Sequence, residues 1–426
     1  MLDERIKQGI YGLSKGTSIN DIVTTWLMMG DTTEDKVSII SLDNYHRSAY
    51  PMDLKDLINT TDSHFISYFE TDKLYFIDND LLHETYMNGE KDTIFRLDYS
   101  IMLDTNYASY IHKFINFDWS TLNNEVFSSI DLLIRNNFNY DHIFYMIENY
   151  KNSFVNIEGE SAEAIKDKKT KLYQNLVSLE LFKSINREKY ISTGRLHYDI
   201  TENEAQLLAD QTFNGIYNSA HATEMLDYYF SIQRQMVLLI IGIMQIKFGP
   251  KITVQKKLQR LFEYCTNVVG TYFDREMVIA HKYFSSQNDV KILNKINKGI
   301  RAEKILHLIE NIAWDFSVPR IMERQLILGG QGRYFIPFFL SNDQNLRELL
   351  RLFKVKGIIY SKSNYFFIPF NGTNSQMYFE AHKFKIEPYF TEEALLRRAE
   401  IKAYNQDNLP QVINREFEKL LSILCI

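Results

Sequence analysis

Apolar positions in this chain fall into two textures. Short, nearly unbroken runs stand between turns rich in Asp, Asn and Gly: Val37–Ile40, His64–Phe69, Leu74–Ile77, Ile101–Leu103, Tyr334–Leu340, Gly357–Tyr360 and Tyr365–Phe370. Runs of this length predict strands, and the solid ones at 101–103 and 334–340 predict strands covered on both faces. A further strand-like run covers Gln376–Glu380. Elsewhere apolar residues recur at spacings of three and four, which predicts helices. They fall over residues 1–30, with a break at Lys15–Ser18 and a stop at Gly30, over 107–117, about 121–136 and 344–353, and over a final helix, about 409–425. Between residues 151 and 310 the pattern is almost wholly helical, with stretches at 161–186, 201–248, 253–287 and 289–313, cut by Gly249-Pro250.

Composition bounds this picture. The 426 residues, 45% hydrophobic and 14% aromatic, are enough for two or three packed domains at roughly 100–200 residues each. Two cysteines, Cys265 and Cys425, cannot build a disulfide framework or a cysteine zinc site, which fits a reducing cytosol. The start Met1-Leu2-Asp3-Glu4-Arg5 has no apolar stretch of the kind signal peptides carry. The longest greasy run, Met236–Met244, is nine residues, far short of the roughly 20 that span a bilayer. A buried core helix, no membrane and a cytoplasmic location are therefore expected. The net charge of −6 is unevenly spread: residues 1–100 carry 18 acids against 9 Lys and Arg, and residues 247–304 carry 12 Lys and Arg against 5 acids. The basic segment suits a phosphate backbone as well as it suits solvated helix faces.

The candidate chemistry sits where two of the strands stop. Ile101-Met102-Leu103 runs into Asp104-Thr105-Asn106, and Tyr334–Leu340 runs into Ser341-Asn342-Asp343. Asp, Thr and Asn at a helix start are good caps. They also stand where open α/β sheets put ligands, at the carboxyl ends of strands. Neighbouring parallel strands would bring the two carboxylates together. Other chemistries lack their motifs. Gly329-Gly330-Gln331-Gly332 has no following lysine and reads as a turn, no His-x-x-x-His pair with a helical Glu occurs, and no Gly-x-Ser-x-Gly is present.

These two stops resemble the first and last motifs of the PIN-domain nucleases: an apolar strand ending in Asp-Thr-Asn or Asp-Thr-Ser, and one ending in Thr/Ser-Asn-Asp with a leucine shortly after, here Leu346, and a helix beyond. The resemblance covers roughly residues 97–150 and 300–360. It implies a PIN-like α/β fold, a parallel sheet flanked by helices. Here that core is split into 96–150 and 301–426 by a helical insertion over 151–300 and preceded by a small α+β domain over 1–95. The insertion departs from the compact family pattern. The family also carries a Glu some tens of residues after the first Asp and an Asp on a helix before the last strand. Glu148, 44 positions after Asp104, and Asp315, 28 positions before Asp343, suit these roles. Glu158, Glu160, Glu202, Glu204 and Glu224 are rivals to Glu148.

The implied activity is metal-dependent endoribonuclease cleavage leaving a 5′ phosphate, with Mg²⁺ or Mn²⁺ held by Asp104, Glu148, Asp315 and Asp343, Ser341 meeting phosphate or water, and Asn106 and Asn342 ordering the site. Clustered carboxylates suit hard cations, which activate water and offset phosphate charge. Arg301, Lys304, His307, Asn311 and Asp315 recur near four-residue intervals, so phosphate-binding cations would share a helix face with a metal ligand. RNA is expected in preference to DNA. By analogy with PIN toxins and anti-phage effectors, an inhibitory protein partner and a regulatory role for the acidic N-terminal region are expected too. The alternatives are a non-catalytic interaction protein on a degenerate PIN-like scaffold and a structure-specific DNA nuclease.

Overall fold

The computed structural model describes residues 3–89, 93–150, 161–361, 363–364 and 366–424. The chain divides into two units, the first made of residues 1–228, 320–347 and 356–369, the second of 229–319, 348–355 and 370–426. The described helices, in chain order, are α1 (Glu4–Lys15), α2 (Ile19–Met29), α3 (Met52–Ile58), α4 (Asn79–Asn88), α5 (Thr105–Ile115), α6 (Asn124–Arg135), α7 (Ile143–Tyr150), α8 (Ala162–Lys183), α9 (Arg187–Thr193), α10 (Glu202–Tyr217), α11 (Ala220–Phe248), α12 (Val254–Tyr264), α13 (Asp274–Ser285), α14 (Ala302–Leu328), α15 (Gln344–Leu352), α16 (Ser375–Ala381) and α17 (Glu392–Leu424).

The strands are β1 (Lys36–Ser41), β2 (Phe65–Ser67), β3 (Leu74–Ile77), β4 (Leu97–Leu103), β5 (Tyr140–Asp141), β6 (Tyr334–Leu340), β7 (Gly357–Ser361) and β8 (Phe367–Phe370). Apart from the last residue of β8 they belong to the first unit, which is mixed α/β. One four-stranded sheet has the order β3-β1-β7-β8, with β1 antiparallel to both β3 and β7. The other has the order β2-β6-β4-β5: β4 runs parallel to β5 and β6, and β2 is antiparallel to β6. The single parallel sheet expected from sequence is thus corrected to two small sheets, with parallel pairing confined to β6-β4-β5. Nor does the segment 1–95 stand apart, since β1 pairs with β7 and β2 with β6. Its partners lie so far along the chain that no local pattern announces them.

All seven residues of β6 are buried, as its apolar run requires. Pro337 is tolerated there for a positional reason. The Ser341 amide donates to the His64 carbonyl (3.2 Å) on the β2 side, so the nitrogens two and four residues back, of Phe339 and Pro337, face the same way. Pairing with β2 ends at Phe338, so the missing N–H falls beyond the ladder.

Several helices differ from expectation. The run Gln376–Glu380 is helix α16, because the Asn374 side chain accepts the Met377 amide as a cap (2.8 Å). Five residues were too few to separate the two periods. The stretch 201–248 is two helices, α10 and α11, and 253–287 is broken after α12 by a π turn, Cys265–Val269, that ends at left-handed Gly270. The stretch 289–313 is a 3-10 segment, Gln287–Lys295, followed by α14. The final helix begins well before 409 and carries Pro410 in its interior.

The second unit has a helical core. Leu238, Leu239, Ile240, Ile241, Ile243 and Met244 are fully buried, packed with Leu258, Leu261 and Phe262 of α12, Met277 and Ala280 of α13 and Leu420 of α17. Among the described residues one helix, over Ala222–Phe248, is long and apolar enough to cross a membrane, and 72% of its apolar window is buried. Gly242 lets the Tyr264 ring lie against this helix: a Cβ there would stand 2.4 Å from a ring carbon, while the Tyr264 hydroxyl is tied to the Leu238 carbonyl (3.2 Å). Gly242→Ala is expected to lower stability by about 1–3 kcal/mol through overpacking, read as a lower urea midpoint. An unchanged midpoint would show that the ring moves freely.

Candidate functional site

The site begins with register. Leu103 of β4 pairs with Leu340 of β6, so the next residues, Asp104 and Ser341, emerge side by side at the carboxyl ends of adjacent parallel strands. The Asp104 amide donates to the Leu340 carbonyl (3.0 Å), and the Asp104 carbonyl accepts from the amide of Tyr107 (2.8 Å) in the first turn of α5. Its carboxylate makes no capping bond to that helix. It accepts instead from the Ser341 hydroxyl (2.6 Å), and that same hydroxyl accepts the Asp343 amide (3.0 Å). Ser341 therefore joins the two motifs through one oxygen.

Asp343 caps α15: its Oδ1 accepts from the amides of Asn345 (2.7 Å) and Leu346 (3.2 Å). Asp104 is buried, whereas Asp343 is half-buried. Burial raises the Asp104 pKa and the negative charge of Asp343 raises it further. The Ser341 hydroxyl and the nearby amides of Thr105 and Asn106 act in the opposite sense, and the balance is upward.

Glu148 is tied to the first motif from α7. Thr105, the residue after Asp104, donates its hydroxyl to the Glu148 carboxylate. The helix is held by Phe144, whose ring meets Phe339 of β6 edge-on at 5.6 Å, and by the Tyr217 hydroxyl, which donates to the Met146 carbonyl (2.8 Å). Of the rivals, Glu204 is taken by a capping box with Thr201, and Glu202 and Glu224 are exposed on α10 and α11. Glu158 and Glu160 lie outside the described residues, as does Cys425.

The other expected residues lie as follows. Asp315 belongs to the second unit, half-buried on α14 between buried Trp314 and Phe316. Pro319 cannot donate the helical bond that the Asp315 carbonyl would otherwise accept. Arg301 and Lys304 are exposed in the second unit. Asn106 is exposed on the first turn of α5, and Asn342 is half-buried with its Oδ1 enclosed and lacking a hydrogen-bond partner. Among the described residues no three His, Cys, Asp or Glu side chains form a ready-made metal cluster.

Three groups escaped sequence reasoning. Tyr107 is buried and Tyr110 half-buried near the acids; burial first, and then the Asp104 charge, pushes both phenols up. Asp141 ends β5, the third parallel strand, and accepts from the Ser100 hydroxyl (2.5 Å) and the Ile143 amide (3.1 Å). Burial raises its pKa. Its signal was faint because Asn139-Tyr140-Asp141 contains no apolar run. Tyr107 and Tyr110 fell within the helical stretch 107–117 and carried no further signal. No protein-family model matches the chain, and no curated protein or solved structure matches it.

The electrostatics give a stability prediction. With its pKa raised in the folded state, Asp104 binds a proton more tightly folded than unfolded. Its penalty is absent below the unfolded pKa, grows as pH rises through the folded value, and is complete above it. In metal-free buffer Asp104→Asn is therefore expected to melt higher than the parent at pH 7, with the gap closing toward about pH 4. A lower Tm for the variant at neutral pH would contradict a strained carboxylate.

Proposed function

We propose that this chain is a divalent-metal-dependent, PIN-like endoribonuclease that acts in the cytoplasm. The observation that carries the reading is the Ser341 hydroxyl, which bonds Asp104 and takes the Asp343 amide at the ends of β4 and β6. The donor set is hard oxygen, and two acids this close, one of them buried, repel each other unless a cation or proton intervenes. Asp104, Asp343 and Glu148 would hold Mg²⁺ or Mn²⁺, which supplies a water of lowered pKa and offsets phosphate charge. Ser341 fixes the orientation of Asp104, and Thr105 fixes Glu148. Asp315 of α14 is proposed as a fourth ligand from the resemblance alone. An inhibitory protein partner, as PIN toxins and defence effectors have, remains part of the proposal by analogy.

The test is direct: the full chain with Mn²⁺ and labelled single-stranded RNA or DNA. RNA cut to 5′-phosphate ends, with loss of activity in EDTA, is expected. Cleavage of DNA alone would replace this reading with that of a DNA nuclease. The non-catalytic scaffold draws support from the Asp343 carboxylate already capping α15. In that case Mn²⁺ would neither promote cleavage nor raise the melting temperature.

A further inference from the structure

Residues 247–260 hold five Lys and Arg and no acid. They make up the end of α11, the turn at Gly249-Pro250 and the start of α12, all within the second unit. Two of the five converge. The Lys247 ammonium lies over the Tyr283 ring, 4.8 Å from its centre, and the Lys257 ammonium over the Phe284 ring, at 5.7 Å. These rings are buried neighbours on α13, with centres 6.3 Å apart. Lysines from two helices are thus held on adjoining rings of a third.

Stability does not account for this arrangement. Both lysines are half-buried, and among the described residues neither has an acid partner. Burial first, and then the charge of Lys257, lowers the Lys247 pKa, with no acid acting against them. Helix starts disfavour cations, yet the first turn of α12 carries Lys256 and Lys257 and no acid. An anion shared by the pair relieves the repulsion, and phosphate oxygens are natural partners for lysine ammonium groups. Arg260 stands three and four residues beyond these lysines, on the same side of α12, and Lys251 is exposed in the turn. Such a row suits a chain of phosphates better than a single one. No large apolar residue in 247–260 is exposed, whereas a surface that settles on a membrane presents them.

We infer that Lys247 and Lys257 take a backbone phosphate of a nucleic-acid strand, and that Lys251, Lys256 and Arg260 meet the phosphates on either side of it. The inference rests on the nuclease reading for the identity of the strand, and it gives the helical unit a part in holding it. Contacts of this kind follow the backbone and do not read the bases, so RNA and DNA are held alike here.

The experiment titrates the full chain, in EDTA so that nothing is cut, into a short fluorescein-labelled oligouridylate and its deoxy counterpart, and reads anisotropy over a series of salt concentrations. Each phosphate contact on a single strand contributes about 0.7 to the slope of log K against log salt. Lys247→Gln with Lys257→Gln is therefore expected to lower the slope by about 1.4 and to weaken both strands about twentyfold at about 0.1 M salt. Lys247→Arg with Lys257→Arg keeps the charges and should bind like the parent. Lys251→Gln with Arg260→Gln, at exposed positions, repeats the test without touching the aromatic contacts and should lower the slope by the same amount. Lys298→Gln with Lys385→Gln removes equal charge from exposed positions of the second unit and should leave the slope unchanged. Normal binding by both of the first two neutralised pairs, an equal loss in the last pair, or no strand binding by the parent would each overturn the inference. So would retention on anionic phospholipid vesicles that needs Lys247 and Lys257 while strand binding does not. If the parent cleaves RNA with Mn²⁺ but the neutralised lysine pair binds it normally, the lysine site falls and the nuclease reading stands. If strand binding needs the pair but the parent never cleaves with Mn²⁺, the reverse holds.

Discussion

Asp104→Asn and Asp343→Asn are each expected to reduce Mn²⁺-dependent RNA cleavage by at least about a thousandfold while the fold persists. A metal ligand contributes several kcal/mol of charge stabilisation, and about 4 kcal/mol corresponds to three orders of magnitude in rate. Both substitutions are gentle on structure. Asn keeps an oxygen that can accept the Ser341 hydroxyl bond, and at 343 it keeps the cap on α15. Single-turnover cleavage measured beside the circular dichroism spectrum separates the two effects. Cleavage within tenfold of the parent, with an intact spectrum, would remove these acids from the chemistry.

The largest effect on stability is expected from Phe338→Ala. Phe338 is fully buried in β6, paired with Ser67 of β2 and Ile101 of β4, and its ring meets Tyr50 edge-on at 4.8 Å and Tyr99 at 6.0 Å. Removing it deletes the transfer term and leaves a cavity flanked by two strands, a loss of about 3–5 kcal/mol. Urea unfolding followed by circular dichroism would show it. A loss under 1 kcal/mol would mean that the neighbouring rings close the gap. Because Phe338 stands three residues before Ser341, cleavage should fall along with stability.

What the sequence disclosed follows from where the information is local. The acid stops at Asp104 and Asp343 were legible because each interrupts a solid apolar run. The strand register that brings Asp104 beside Ser341 then follows from parallel pairing of those runs. Glu148 was one choice among several, and the Thr105 hydroxyl that bonds it belongs to the first motif itself. Asp315 was chosen for its helix, its spacing from Asp343 and its apolar neighbours, and it is half-buried between Trp314 and Phe316 as those neighbours imply. The pairings of β1 with β7 and β2 with β6 were illegible, since short apolar runs carry no address for their partners. A cleft of about 620 Å³ in the first unit was illegible for the same reason, being built from residues 57–65, 124–132 and 342–347. Helix α16 was misread because an N-cap at Asn374 outweighed a five-residue alternation.

The interleaving of β1 with β7 and of β2 with β6 bears on how the polypeptide is born. On the ribosome, β4 must wait with one edge bare until β6 has been translated, and β1 waits longer for β7. A nascent chain in that condition exposes greasy strand edges to its neighbours, the state that invites chaperone capture or clumping. The wait also separates the two acids in time: Asp104 is made early and Asp343 late, so a half-made copy lacks the Ser341 bridge that joins them.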